Sequence, residues 1–439
     1  MKQLHTLAIV IWLLLTASTA EAAPLSLKEC YEAAIEQSLA WRLSGEKLNE
    51  SGARIAEAEG ARLPVVNAAA SVTHNGNVQT VKFGASSMQF QPDNSYRIGL
   101  TASSLLYDGN RLANVVTLQK EALHLTELDR ARVEQDLAGS VSSAYYVWVL
   151  LREVEEVMAA SAESSKEHLK LAEARYEAGQ LSRFELSRTR VQTDQFTANA
   201  ETATSNRRRA VQTLCFLTGL TIGDQTVPTD TLRDVPFSVS FEVALEAAQK
   251  NRIEYEIARQ AKAVSMRSLA ITRAGLYPMA TANANLAWAN GSDMSDMNKL
   301  VNSWSVGIGV SYPIFDGKQV KRRIEAGESA VRQSELTSAN LDVVVGNELR
   351  FALITLEDSR RKLDLQFSYL DQAAEALRLA REQFRLGMAT SQDVSDAELA
   401  YEMAQTNRAQ ALYDWTMAVI SIRKASGELT SNIKRGILQ

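Results

Sequence analysis

Polar and apolar positions alternate with a period of two in four short stretches of this chain and with a helical period almost everywhere else. In 279–288, Ala280, Ala282, Ala284, Leu286 and Trp288 alternate with Thr281, Asn283, Asn285 and Ala287. In 303–312, Trp304, Val306, Ile308, Val310 and Tyr312 alternate with small residues, among them Gly307 and Gly309. Tyr96, Ile98, Leu100 and Ala102 set against Arg97, Gly99, Thr101 and Ser103 give a third strand, and Val66, Ala68, Ala70 and Val72 a fourth. Each has one apolar face and one small or polar face. A transmembrane barrel strand of about 9–11 residues has this pattern, and so does a strand of a soluble sandwich. The rest of the chain is helical and offers no second sheet to pack on, which favours the membrane reading.

The helical stretches are long. Between Gly109 and Ala178 there is no proline, and 317–386 is the equivalent stretch. At 1.5 Å per residue each predicts a helix of roughly 100 Å. Within the second, Leu349, Ala352, Leu356, Ser359, Leu363, Phe367, Leu370, Ala374 and Leu377 recur in steps of three and four. That is a coiled-coil seam with small residues that let helices approach. Val141, Ala144, Trp148 and Leu151 begin the same seam in the first stretch, and Leu412, Trp415, Val419 and Ile422 continue it in the last helix.

Punctuation repeats as well. Ser26-Leu27, Glu32-Ala33-Ala34, Ser51, Ala56 and Pro64 recur 214 positions later as Ser240-Phe241, Glu246-Ala247-Ala248, Ser265, Ala270 and Pro278. From there the offset is 208: Asp108-Gly109 matches Asp316-Gly317, Gly179 matches Gly387, and Gly219 matches Gly427. The chain therefore reads as an internal two-fold repeat, 23–219 and 240–429. A connector at 220–239 joins the copies, and a tail follows at 430–439. Pro64 and Pro278 end helices and open strands, because proline disfavours helix in the residue before it. Asp108-Gly109 and Asp316-Gly317 turn the chain out of the strands (about 65–107 and 279–315) into the long helices (109–178 and 317–386). Gly179 and Gly387 cap those helices, and Ser182 and Ser391 are candidate starts for return helices over 181–218 and 389–427. Each return helix is little more than half as long as its partner. The 38-residue helical segments 26–63 and 240–277, each expected to break once near the position of Ala40, supply the missing half.

Composition narrows the classes of function. Seven prolines and 21 glycines in 439 residues favour long helices. A net charge of −5 gives no support to a nucleic-acid partner, and Arg207-Arg208-Arg209 reads as a solvated helix face. Lys2, the apolar run Leu7 to Leu15, and Ala20-Glu21-Ala22 make residues 1–22 a secretory signal peptide. Cys30 and Cys215 would then meet an oxidising compartment, which permits a disulfide between them or leaves two inert thiols. His5, His74, His124 and His168 are scattered, with no metal-ligand spacing, nucleophile elbow or phosphate loop. No enzyme activity, metal or cofactor is expected.

Taken together, the two copies, the Leu-Pro and Tyr-Pro junctions at 63–64 and 277–278, the Tyr/Phe-Asp-Gly exits and the (Tyr/Phe)-x-x-Gly turns at 176–179 and 384–387 resemble the TolC family of outer-membrane efflux proteins. The resemblance covers the chain from about Leu25 to Leu429. It implies a mixed fold: a long antiparallel coiled-coil α-helical barrel plus a twelve-stranded transmembrane β-barrel shared by a homotrimer. Four strands cannot close in lipid, and a chain that pools them escapes the unpaired edge. It also implies a passive channel at the cell outer membrane, in contact with its lipid and with a large periplasmic portion. Drugs, small molecules or proteins would pass through it from an inner-membrane pump (RND or ABC type) and a periplasmic adaptor. The adaptor would dock on the turns Gly179, Gln180, Leu181, Ser182 and Gly387, Met388, Ala389, Thr390. Asp393 and Asp396, with Glu185 in the first copy, would form the periplasmic gate. Rings of carboxylates attract cations and raise one another's proton affinity, whereas an acidic first turn of a helix is the plain alternative. Ala389 stands where one member of the family carries an arginine that helps tie the gate, a role left to Arg183, Arg188 or Arg385. A periplasmic coiled-coil scaffold without a pore is the rival reading.

Overall fold

The computed structural model describes residues 24–436 apart from 84–85, 90, 294–295 and 297. The signal peptide expected at 1–22 lies outside the described residues. In chain order the elements are β1 (Pro24–Leu25), α1 (Leu27–Gln37), α2 (Leu39–Gly60), β2 (Val65–His74), β3 (Thr80–Phe83), β4 (Ser86–Gln89), β5 (Asn94–Tyr107), α3 (Arg111–Glu177), α4 (Arg183–Thr218), β6 (Val227–Pro228), α5 (Phe241–Asn251), α6 (Ile253–Arg273), β7 (Met279–Ala289), β8 (Val301–Ser311), α7 (Gln319–Arg385), α8 (Ser391–Ala425) and α9 (Leu429–Arg435). The sequence two helices, strand hairpin, long helix, return helix thus occurs twice, and both long helices have 67 residues. The breaks in the leading helices fall at Ser38 and Arg252, each in extended backbone (ψ 120° and 125°).

The chain divides into two compact units, one built from Gly45–Asp129 and Glu254–Asn340, the other from the remainder. In the first unit β2, β5, β7 and β8 form an antiparallel sheet in the order β2-β5-β7-β8. Its register gathers the apolar residues into cross-strand rows. Ala68, Leu100, Leu286 and Trp304 make one row, and Val66, Ala102, Ala284 and Val306 the next. Asn67, Thr101, Asn285 and Ser305 form a row of the opposite face. Because side chains alternate between faces, a register slip of one residue would scramble both. The apolar face is uncovered: Trp304, Val306, Ile308 and Val310 are 70–75% exposed. β2 and β8 lie at the two edges of the sheet. A further hairpin, β3–β4, sits in the loop between β2 and β5, where no strands were expected. Below the sheet, Asp108 and Asp316 each accept a backbone N–H four residues on (Leu112, 2.7 Å; Val320, 2.8 Å), so each aspartate starts its long helix. Lys120–Glu59, Lys262–Glu335 and Arg273–Glu328 tie the helices of this unit together at 3.2, 3.0 and 2.9 Å.

The other unit holds the core. Leu27, Tyr31 and Ala34 of α1 pack with Val141, Tyr145 and Trp148 of α3, Leu214 of α4, Leu356 and Leu363 of α7, and Leu412, Trp415 and Ile422 of α8. The expected seam of α7 is buried at Leu349, Ala352, Leu356, Ser359, Leu363 and Leu377, with Ala373 in place of Ala374. Connector residues reach this core: Leu232 is buried, Trp415 Nε1 donates to the Val235 carbonyl (3.1 Å), and β6 pairs in parallel with β1. The buried Tyr145 hydroxyl donates to Leu25 O at 2.9 Å and accepts from Asp230 N at 3.3 Å, so one side chain ties β1 to the connector just past β6.

Two expectations are corrected here, for Arg207 and for the tail, and of the two alternatives left open for the cysteines the free thiols are found. Arg207 is not solvated: it is 9% exposed and pairs with Glu155 (2.5 Å) and Asp224 (3.2 Å), while Arg208 and Arg209 remain exposed. Cys30 and Cys215 are free thiols; Cys30 is fully buried, and burial pushes its pKa up to about 12, so it is inert. The tail expected from residue 430 is in part α9, whose Leu429 and Ile433 are buried in the core and whose Lys434 pairs with Glu134 at 2.6 Å. Between α8 and α9, Gly427 has a φ of +77°, and a Cβ there would lie 2.8 Å from the backbone of Asn251 and Arg252.

Candidate functional site at the helical turns

The two long helices end alike. At Gly179 (φ +73°) the N–H of Gln180 bonds to Arg175 O at 2.8 Å, and that of Gly179 to Tyr176 O at 2.9 Å. At Gly387 (φ +79°) Met388 N bonds to Gln383 O at 2.8 Å, and Gly387 N to Phe384 O at 3.0 Å. These are Schellman caps, which need a left-handed residue. The return helices begin with capping boxes. Ser182 accepts from Glu185 N, and the Glu185 carboxylate accepts from Ser182 N. Thr390, rather than the expected Ser391, does the same with Asp393. Asp393 is thereby held below the usual carboxylate range, first by the Thr390 hydroxyl and then by its N–H.

The expected gate residues are distributed as follows. Asp393 and Asp396 are both exposed, and Asp396 Oδ1 accepts from Gln392 Nε2 at 2.5 Å. Glu185 is half-buried and lines a cleft of about 420 Å³ with Arg188, Thr390, Ser391 and Ser395. Within one chain the cleft brings Glu185 beside the second turn and leaves Asp393 and Asp396 outside its lining. Of the tip residues, Gly179, Gln180, Ser182, Gly387, Met388 and Thr390 are exposed, and Leu181 and Ala389 half-buried. Phe184 and Met388 are each 75% exposed, which gives both turns an apolar, solvent-facing side chain.

The arginine that bridges the turns is one the sequence did not point to. Arg175 donates to the Arg385 carbonyl at 2.9 Å and lies 4.3 Å above the Phe384 ring. Arg385 itself pairs with Glu382 on its own helix. Behind the turns is a second unforeseen set: His168, Thr189, Ser391 and Glu398, all buried, with Arg381 donating to Glu398 at 2.9 Å. Nothing in a linear reading marks these residues, since they come from four helices. Among the described residues no group of His, Cys, Asp or Glu is placed to hold a metal ion, and no helix is long and apolar enough to cross a membrane.

A sequence profile described as "Outer membrane efflux protein" matches residues 31–220 and again 244–428. The chain belongs to the outer membrane efflux protein family. Within it, the chain is 22% identical over 404 residues to nodulation protein T of Rhizobium leguminosarum bv. trifolii, covering 90% of this chain and 84% of that one. It is 24% identical over 411 residues to outer membrane protein TolC of Escherichia coli (strain K12), covering 88% and 80%. Among solved structures, the channel-forming protein CusC superposes with a TM-score of 0.76 at 18% identity, over 93% of this chain and 95% of that one. The outer membrane efflux family consists of channel proteins, not enzymes, and its members lie in the outer membrane with a large helical periplasmic portion. That placement suits a sheet whose apolar residues Trp304, Val306, Ile308 and Val310 are exposed.

Proposed function

We propose that this chain is the outer-membrane channel-tunnel of a tripartite efflux or type I secretion system, working as a homotrimer whose four-stranded sheets join into one twelve-stranded barrel. The carrying observation is the sheet order β2-β5-β7-β8 with uncovered apolar rows and strands β2 and β8 at its edges. In lipid, an unpaired edge costs several kcal/mol per group, and only closure removes it. Edge-to-edge pairing of β8 with β2 of the next copy satisfies both edges at once. A second support is the stripe of exposed Val344, Phe351, Leu365 and Leu379 on α7, spaced in sevens or multiples of seven, which a neighbouring helix would cover. The profile's two matches, 31–220 and 244–428, support an internal two-fold repeat, so that three chains supply six similar units.

In this reading the turns at 179–182 and 387–390 receive a periplasmic adaptor, through which an inner-membrane pump delivers cargo. Repetition about the axis gathers Asp393, Asp396 and Glu185 into carboxylate rings at the periplasmic mouth, although Asp393 and Glu185 also cap their helices. Arg175, bridging to the second turn, takes the tying role that Ala389 leaves open. A scaffold without a pore would have no use for an exposed face of Trp304, Val306, Ile308 and Val310.

The test is recovery of a heat-modifiable, SDS-resistant trimer from outer-membrane fractions that conducts ions in planar bilayers. Recovery as a soluble, non-conducting protein would overturn the proposal. Charge reversal at residues flanking Gly179 and Gly387 should abolish adaptor crosslinking while leaving the trimer intact.

A further inference from the structure

His168 sits in α3 at a point where four helices meet. Its ring is 8% exposed and packs edge-on against Phe384 of α7, with centroids 4.9 Å apart. Its Nε2 lies 2.8 Å from the hydroxyl of Ser391, the first residue of α8. Ser391 Oγ lies in turn 2.7 Å from Thr189 Oγ1 of α4. The hydrogens can be followed along this chain. Thr189 donates its one hydroxyl hydrogen to the Glu185 carbonyl (3.0 Å), so Ser391 donates to Thr189 and must accept from His168. The neutral ring therefore carries its hydrogen on Nε2.

Charged groups face this ring from several sides. Glu398 comes from α8, Arg381 from α7 and Arg175 from α3 itself; α4 contributes the neutral Thr189. Glu398 is only 4% exposed and takes hydrogen bonds from Ser164 (2.9 Å) and Arg381 (2.9 Å). Burial opposes an imidazolium most strongly; the Glu398 charge and the hydrogen bond with Ser391 favour one, and the two guanidiniums add to the opposition. The pKa of His168 is therefore lowered from its ordinary value.

We propose that His168 is a proton-released latch between the two helical hairpins, α3–α4 and α7–α8, holding the start of α8 at neutral pH and letting it go in acid. Protonation at Nδ1 does not itself break the bond from Nε2 to Ser391. It places a charge in a dry site beside two arginines, and the relief is for the ring to turn out to water. Ser391 leaves with it, two residues before Asp393. The released ring titrates at the ordinary value of about 6.5, the latched ring lower, so acid favours release. Between those two values each pH unit shifts the equilibrium toward release by about tenfold. This is regulation of the gate proposed above, and its consequence for conduction rests on that reading; the latch itself does not.

The test uses the full chain in lipid nanodiscs, with Cys30 and Cys215 replaced by alanine and spin labels at the exposed positions 180 and 388. Distance distributions between the labels are measured from pH 8 to pH 5. The ratio of separated to latched population should grow as pH falls below 6.5, by at most about tenfold per pH unit. His168→Gln keeps an amide donor for Ser391 but does not titrate, and should hold one distance throughout. Ser391→Ala keeps the titrating ring without its acceptor, and should release at higher pH than the parent. Glu402→Gln, which removes another buried titratable group of α8, should behave as the parent does. A pH-independent distance in the parent would overturn the latch, and so would a transition that survives His168→Gln or is abolished by Glu402→Gln. Single-channel current recorded alongside separates the two readings: distances that move with pH while current does not uphold the latch and remove the gate.

Discussion

Alanine at Gly427 and alanine at Gly387 should differ in effect, although both glycines cap a long helix in the left-handed region (φ +77° and +79°). At Gly387 nothing lies within 4 Å of the added Cβ. The only penalty is the left-handed backbone, about 1–2 kcal/mol for a residue with a Cβ, offset by about 0.4–1 kcal/mol from the stiffer unfolded chain. The net loss is therefore about 0–1.6 kcal/mol. At Gly427 the Cβ would lie 2.8 Å from three backbone atoms, Arg252 N and Asn251 C and O. That backbone cannot yield easily, because Arg252 is held by Glu348 at 2.6 Å and its own N–H bonds to Ala248 O. Overpacking of this kind adds about 1–3 kcal/mol, so Gly427→Ala should cost about 1–5 kcal/mol in all. Denaturant unfolding in detergent, followed by far-UV circular dichroism, reads both variants against the parent. If Gly427→Ala is no less stable than Gly387→Ala, the close approach of α8's end to the α5–α6 break is not a constraint on the fold, and the reasoning fails.

Other outcomes follow from single residues. Tyr145→Phe removes a buried hydroxyl that serves both Leu25 and Asp230, and should lower stability by about 1–3 kcal/mol while opening the β1–β6 pair to proteolysis near Leu25. Asp393→Ala and Asp396→Ala should part company: the first breaks a capping box and loses about 0.5–2 kcal/mol, the second leaves stability nearly unchanged. If the gate reading holds, both should raise single-channel current and weaken block by trivalent cations. Glu402 is 3% exposed, and burial raises its carboxyl pKa. The folded state then binds more protons than the unfolded one just above the ordinary carboxylate range, so this group costs stability as pH rises through it. Glu402→Gln should accordingly stabilise the protein at neutral pH and lose its advantage toward pH 4, measured by unfolding at both ends. Maleimide should leave Cys30 unmodified in the folded protein at pH 8 and label it only after denaturation.

What could be read from the sequence was what is locally encoded. Alternation over ten residues, a proline after a helix and a glycine ending a helix each act through their own backbone, and so the strands, Pro64, Pro278, Gly179 and Gly387 were recognisable one segment at a time. The seam of α7 was legible for the same reason, save that Ala373 takes the place of its neighbour Ala374, a drift that a strict count of threes and fours cannot resolve. Contacts made across the chain left no such trace. Arg207 looks like one of three solvated arginines until Glu155 arrives from α3. His168 looked isolated because its hydrogen-bond partner, Ser391, lies 223 positions away on another helix. Thr390 outcompeted Ser391 as cap since Ser391's hydroxyl was engaged by His168 and Thr189. The proposed gate was the least legible feature: in that reading one chain supplies one member of each ring, and the facing groups belong to other copies.

The free edges of the sheet also bear on inheritance and dosage. In the trimer proposed above, a subunit whose β8 accepts no partner still offers an intact β2, so it would enter a ring and spoil it. In a cell making equal amounts of sound and edge-defective chains, random assembly of three leaves only about one ring in eight wholly sound. Edge mutations in this protein should therefore be dominant over a wild-type copy. Mutations confined to the core of a single chain, which unfold before association, should be recessive.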